Sequence, residues 1–181
     1  MALFKDTYRI ESARHPTWNY RSPGWYFVTI CTHERIHFFG SIRNGIMGLS
    51  EAGCVVAEEW QRTPQVRPYV VLDAWVVMPN HFHGLIGIRS DSPGVSPNVE
   101  TPRRGVSTDK TPTLHAHSLG AIIGQIKSAC TKRIRRTGQP DFAWQSRYHD
   151  RIVRNKREFH AIRRYIVNNP AQWTQDRLYS P

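Results

Sequence analysis

Apolar and polar positions along this chain recur with two periods, and the switches between them mark its elements. Trp25 to Thr32 is a run of aromatic and β-branched residues with the length of a strand, and its composition suits the centre of a sheet. After a loop around Gly40 to Gly48, Ser50 can cap a helix carrying Ala52, Val55, Val56 and Trp60 that ends near Thr63-Pro64. Tyr69 to Met78 is a second apolar run. Pro79-Asn80 turns it straight into His81 to Ile88, which predicts an antiparallel hairpin.

The second half of the chain reads in the same way. Leu119, Ile122, Ile123, Ile126, Cys130 and Ile134 recur at helical spacing, with a basic end stopped by Gly138 and Pro140. Phe142 to Val153 reads as extended. Asn155 with Glu158 three residues on marks the start of a last helix, whose apolar stripe is Phe159, Ile162 and Ile166. Asn169-Pro170 is expected to end it, since a residue before proline is pushed out of the α region. Between the halves, Arg89 to about Thr113 turns to Ser, Pro, Gly, Thr and Asn, too polar to offset its ordering entropy, and reads as a flexible inserted loop. Residues 1–24 read as an arm. The order strand, helix, strand, strand, helix, strand, helix predicts an α+β, ferredoxin-like or RRM-like sandwich. An antiparallel sheet carries helices mainly on one face, in a single domain spanning 1–181.

Charge narrows the partners. Lys and Arg outnumber Asp and Glu by 25 to 14, a formal net charge of +11, which points to nucleic acid or an anionic surface. No apolar run approaches the roughly 20 residues that span a bilayer, and the amino terminus lacks a signal-peptide pattern, so no membrane partner is expected. Cys31, Cys54 and Cys130 are scattered and odd in number, which suggests neither a disulfide framework nor a thiolate zinc site and fits a cytoplasmic protein.

The candidate chemistry begins with His81 and His83. Strand alternation sends both imidazoles and Leu85 to one face, and Phe82, Ile86 and Ile88 to the other. Two imidazoles on a rigid strand make half of a divalent-metal site, although such a pair is also compatible with a solvated face. On the last helix, Tyr165 and Asn169 are four residues apart and stack on one side, beside the apolar stripe. A phenol next to a metal and a phosphate can attack phosphorus in line. The same two residues also fit an ordinary core-edge tyrosine and a plain helix cap. Tyr148, beside His149 and Asp150, competes as nucleophile but has no amide ligand four residues on. His115-Ala116-His117 is a second His-x-His, read as a solvated pair or cap.

Four motifs in order carry a family resemblance: the Trp25–Thr32 strand, Met78-Pro79-Asn80-His81-Phe82-His83, Trp144-Gln145-Ser146-Arg147-Tyr148-His149-Asp150, and Arg164-Tyr165-Ile166-Val167-Asn168-Asn169-Pro170. Over about residues 20 to 174, apart from the 89–113 loop, the chain resembles the single-tyrosine HUH transposases, and within them the REP-associated tyrosine transposases. The resemblance implies a ferredoxin-like nuclease that cuts and rejoins single-stranded DNA near short hairpins, using Mg2+ or Mn2+ and a transient 5′-phosphotyrosine that leaves a free 3′-hydroxyl. Carried over by position, His81 and His83 are metal ligands, Tyr165 is the nucleophile and Asn169 the third ligand, where mobile insertion-sequence relatives commonly have the longer glutamine. Such proteins act as monomers or homodimers.

Arg133, Arg135, Arg136, Arg147, Arg151, Arg154 and Arg164 are expected to hold the DNA backbone. Two other classes compete: a catalytically silent single-stranded nucleic-acid-binding protein, which would not need Tyr165, and a small metallohydrolase. The last requires a carboxylate base, for which Asp73 is the only close candidate in sequence.

Overall fold

A computed structural model of the chain describes residues 18–90 and 117–180; most of the expected arm and inserted loop lie outside the described residues. Four strands form the main sheet: β1 (Gly24–Cys31), β4 (Val70–Met78), β5 (His81–Ile88) and β6 (His149–Val153), in the order β4-β5-β1-β6 with every neighbouring pair antiparallel. The run predicted to be central is therefore central, and the Pro79-Asn80 hairpin is present, with Met78 opposite His81. Two helices, α1 (Glu51–Gln61) and α3 (Leu119–Arg136), link β1 to β4 and β5 to β6. This βαββαβ path with its split central pairing is the ferredoxin-like arrangement.

Each long helix starts where a side chain satisfies an orphan N–H. Ser50 Oγ accepts from Gly53 N at 3.2 Å, Ser118 Oγ from Ala121 N at 3.3 Å, and Asn155 Oδ1 from Glu158 N at 2.9 Å. Glu158 in turn accepts from Arg154 N, one residue before the cap, at 2.8 Å, so the start of α4 (Lys156–Asn168) is held from both sides.

The alternation of β5 splits the core in two. Phe82, Ile86 and Ile88 join Tyr26, Val28 and Ile30 under α1 and α3, while Leu85 meets Ile162 and Ile166 of α4 on the opposite face. Burying each such side chain contributes roughly 1.5–3 kcal/mol. Gly84 makes room for the largest of them: a Cβ there would lie 2.5 Å from the Trp60 ring, which instead rests on the sheet with its centroid 4.6 Å from that of Phe82.

Two local expectations change. The stretch read as a loop around Gly40 to Gly48 is a hairpin, β2 (Gly40–Arg43) and β3 (Ile46–Leu49), turned by Asn44-Gly45 with φ of 52° and 74°. Positive φ at both central residues is what a type I′ hairpin turn needs. A further short helix, α2 (Thr63–Val66), follows α1. Asn169 stays in the α region, at φ −57° and ψ −42°, despite the following proline. The helix stops because Pro170 has no N–H to donate, and a 3₁₀ turn over Pro170–Gln175 takes up the chain.

Candidate metal and nucleophile site

The face of the sheet under α4 gathers the chemistry-bearing side chains. His81 and His83 are both buried, with ring centroids 4.5 Å apart. Register sets Thr29 of β1 opposite His83, and its hydroxyl lies 2.8 Å from His83 Nδ1. From α4, the Tyr165 hydroxyl reaches within 3.2 Å of His83 Nε2, and the Tyr165 ring lies edge-on to His83 at 5.2 Å. Tyr165 is 40 % exposed whereas Asn169 is buried, so the phenol opens to solvent and the carboxamide does not.

The chain beyond α4 adds a carboxylate that sequence reasoning missed. Asp176 Oδ2 accepts hydrogen bonds from the Tyr165 hydroxyl at 2.9 Å and from Asn169 Nδ2 at 2.6 Å, while Oδ1 accepts from Leu178 N at 2.6 Å. One donor atom from each of His81, His83 and Asp176 lies within 4.8 Å of the others. A cation about 2.0–2.2 Å from each ligand would draw these three atoms closer together than that limit. Two buried acceptors without partners, His81 Nε2 and Asn169 Oδ1, favour such an occupant. Two imidazoles with hard oxygens suit a divalent ion such as Mn2+. Asp73, the carboxylate singled out from sequence, is engaged elsewhere: it accepts from Arg163 Nε at 2.9 Å, tying α4 to β4.

Burial governs the electrostatics. It lowers the pKa of His83 to about 4 and, together with the neighbouring His83, that of His81 to about 2, so both rings are neutral and able to ligate. Tyr165 is pushed well above its ordinary value by burial and then by its hydrogen bond to Asp176 and the charge there. Burial alone would raise the Asp176 carboxyl, but hydrogen bonds from Asn169, Leu178 N and Tyr165 outweigh it and hold the group below its usual range.

A cleft of about 1040 Å³ opens over Phe27, Thr29, His83, Tyr165 and Asp176. Arg35, Arg151, Arg154, Arg157 and Arg177 line it, and Glu158 is the acid facing them there apart from Asp176. Of the arginines named from sequence, Arg151 and Arg154 are in this wall. Arg133 is not: it lies on α3, across the sheet, paired with Glu58 at 2.5 Å and Glu59 at 2.7 Å. Arg135 donates to the Phe142 carbonyl from the same helix at 3.1 Å, and Arg136 ends that helix. Arg147 and Arg164 are exposed and do not line the cleft. Arg35 and Arg177 were overlooked because one precedes and the other follows the basic stretch from Arg133 to Arg164.

The competing candidates separate from the site. Tyr148 packs on the α1/α3 core, across the sheet from His83, and its neighbour His149 faces the cleft. His117 lies 3.0 Å from the Tyr69 hydroxyl, one residue before the cap of α3; His115 is outside the described residues.

No family model matches the chain. An uncharacterized protein of Haemophilus influenzae is 35% identical over 169 residues, covering 93% of this chain and 92% of the other. Among solved structures, a REP-associated tyrosine transposase bound to a REP hairpin superposes with a TM-score of 0.52 at 19% identity, over 82% of this chain and 67% of that one. A transposase-like protein of Deinococcus radiodurans reaches a TM-score of 0.46 at 16% identity, over 86% of this chain and 95% of that one, too low to argue a shared fold.

Proposed function

This chain belongs to the same family as the Haemophilus influenzae protein and has the fold of the REP-associated tyrosine transposase, and from that premise we propose that it is a metal-dependent single-stranded DNA endonuclease and strand transferase. It acts near hairpin repeats through a 5′-phosphotyrosine on Tyr165. The supporting observation is the convergence of a half-exposed phenol on His83 at 3.2 Å, beside a cluster of His81, His83 and Asp176 suited to one cation.

His81, His83 and Asp176 would hold the ion, with Asn169 Oδ1 as a further donor. When bound there, Mg2+ or Mn2+ would supply positive charge to offset that of the phosphodiester and help orient it. The residues of the chain do the rest. Tyr165 Oη attacks phosphorus, the bond to the 3′-oxygen breaks, and that oxygen leaves as a 3′-hydroxyl once it has gained a proton. The phenolic proton departs along the hydrogen bond to Asp176. The ester on Tyr165 retains the energy of the broken bond, so a 3′-hydroxyl can attack it and rejoin the strand. The cleft arginines position the strand through its phosphates without reading sequence.

The hairpin partner is inferred from the likeness to a protein bound to such a hairpin, and the site of action is the cytoplasm. Among the described residues no helix is long and apolar enough to cross a membrane. In the test, a single-stranded oligonucleotide carrying a hairpin is incubated with Mn2+. The reading expects cleavage that leaves a free 3′-hydroxyl and stops on chelation. Salt-sensitive binding with no cleavage in Mg2+ or Mn2+ would favour the catalytically silent binding protein, a reading that draws on Tyr165 being held by Asp176.

A further inference from the structure

Asn80 is wholly buried at the tip of the hairpin that delivers the histidines. Asparagine in a two-residue turn is usually explained by its tolerance of positive φ. That explanation does not apply here, since among the described residues the non-glycine positions with positive φ are Glu34, Arg35, Asn44 and His117. Pro79 already supplies the turn. The side chain at position 80 therefore has some other use.

Its hydrogen bonds show which. Asn80 Nδ2 donates to the Leu178 carbonyl at 3.0 Å and to Ser180 Oγ at 3.1 Å. A carbonyl only accepts, so the amide nitrogen must face Leu178 and the amide oxygen must face the other way, toward His81 Nδ1 at 2.8 Å. An oxygen there requires the proton on Nδ1. The lone pair is then on Nε2, the buried atom without a partner at the cluster. The Asn80 backbone is fixed as well, because its carbonyl accepts from Thr32 N at 2.9 Å and lies 2.9 Å from Thr32 Oγ1 at the end of β1.

We propose that Asn80 is a positioning residue that fixes His81 as its Nδ1–H tautomer and aims the Nε2 lone pair at the metal. This inference rests on the metal-site reading given above. Metal-bound histidines depend on such partners, whose loss typically costs 10–100-fold in affinity. A buried asparagine suits the task because one end accepts from the imidazole while the other is anchored by the chain beyond α4.

The test has two parts. In the metal-free wild-type protein, 15N shifts of His81 should report a protonated Nδ1 and a bare Nε2. This measurement needs no variant. Asn80→Leu, which keeps the branched outline and removes the acceptor, should mix the tautomers and weaken Mn2+ binding about 10–100-fold, whereas Asn80→Asp, which loses the bonds to Leu178 and Ser180 but keeps the acceptor, should bind within about threefold of wild type. Thermal unfolding of each variant identifies any that has simply lost the fold, in which case the wild-type tautomer and Asn80→Asp decide. A wild-type His81 protonated on Nε2, or Mn2+ bound by folded Asn80→Leu as tightly as by wild type, would overturn the assignment of Asn80 alone. Absence of Mn2+ binding by the wild type would overturn it together with the metal-site reading.

Discussion

The two faces of the sheet are built from the same strands and do opposite jobs. Under α1 and α3 lies much the larger apolar cluster, in which Trp60, Tyr26 and Phe82 are almost fully buried. Under α4 the fully packed apolar part shrinks to Leu85, Ile162 and Ile166, edged by half-buried residues such as Trp25, Phe27 and Phe159, and the face is shared with His81, His83, Tyr165 and Asn169. Alternation along β5 is what divides them, since neighbouring side chains on one strand serve the core and the chemistry by turns. One face thus supplies the stability that lets the other bury unpaired imidazole and amide atoms, which alone would be destabilising.

Substitutions on the two faces should then separate cleanly. The largest effect is expected on the chemical face: His83→Ala or His81→Ala should remove metal-dependent DNA cleavage while leaving single-strand binding within about threefold. Electrophoretic cleavage and fluorescence-anisotropy binding would check this. Loss of both together would mean that the histidines hold the fold instead.

On the apolar face, Trp60→Ala should cost about 3–5 kcal/mol in chemical denaturation, with whatever remains folded still binding Mn2+.

Acid should act through the chemical face. Unfolded histidines titrate near 6.5, while folded His83 and His81 titrate at about 4 and about 2. Between these values the unfolded chain binds protons that the folded one refuses. The stability contributed by neutral burial is therefore complete above pH 6.5 and lost as pH falls, with a slope approaching about 1.4 kcal/mol per pH unit for each histidine. Denaturation midpoints at pH 7.5, 6 and 5 measure the slope, and replacing both histidines with asparagine should flatten it.

The smallest expected effect distinguishes the arginines. Arg154→Ala should reduce the salt dependence of single-strand binding by about 0.7 in log–log slope, and Arg133→Ala, across the sheet and paired with Glu58 and Glu59, should leave it unchanged.

What could be read ahead from the amino-acid order was whatever depends on near neighbours. The alternation of His81 to Ile88, the caps at Ser50 and Asn155, and the pairing of Tyr165 with Asn169 on one side of α4 all follow from local periodicity. The Asn44-Gly45 turn was equally local and its signal was overlooked. Asp176 was a different kind of miss. It reaches the site only because the 3₁₀ turn after Pro170, kinked at Gln172, redirects the chain, a path that periodicity does not encode. Thr29 and Arg35 depend on sheet register and on a turn with positive φ at Glu34 and Arg35, both settled by tertiary contacts. The pairing of Arg133 was hidden for the complementary reason: its acidic partners lie 74 and 75 residues away on α1.

The central claim is that Tyr165 is the nucleophile at a metal site under α4. Incubating the protein with a hairpin-bearing single-stranded oligonucleotide and Mn2+, then resolving covalent protein–DNA adducts on a denaturing gel, tests it most directly. The account predicts an adduct that Tyr165→Phe abolishes and Tyr148→Phe leaves intact; an adduct that survives Tyr165→Phe would contradict it.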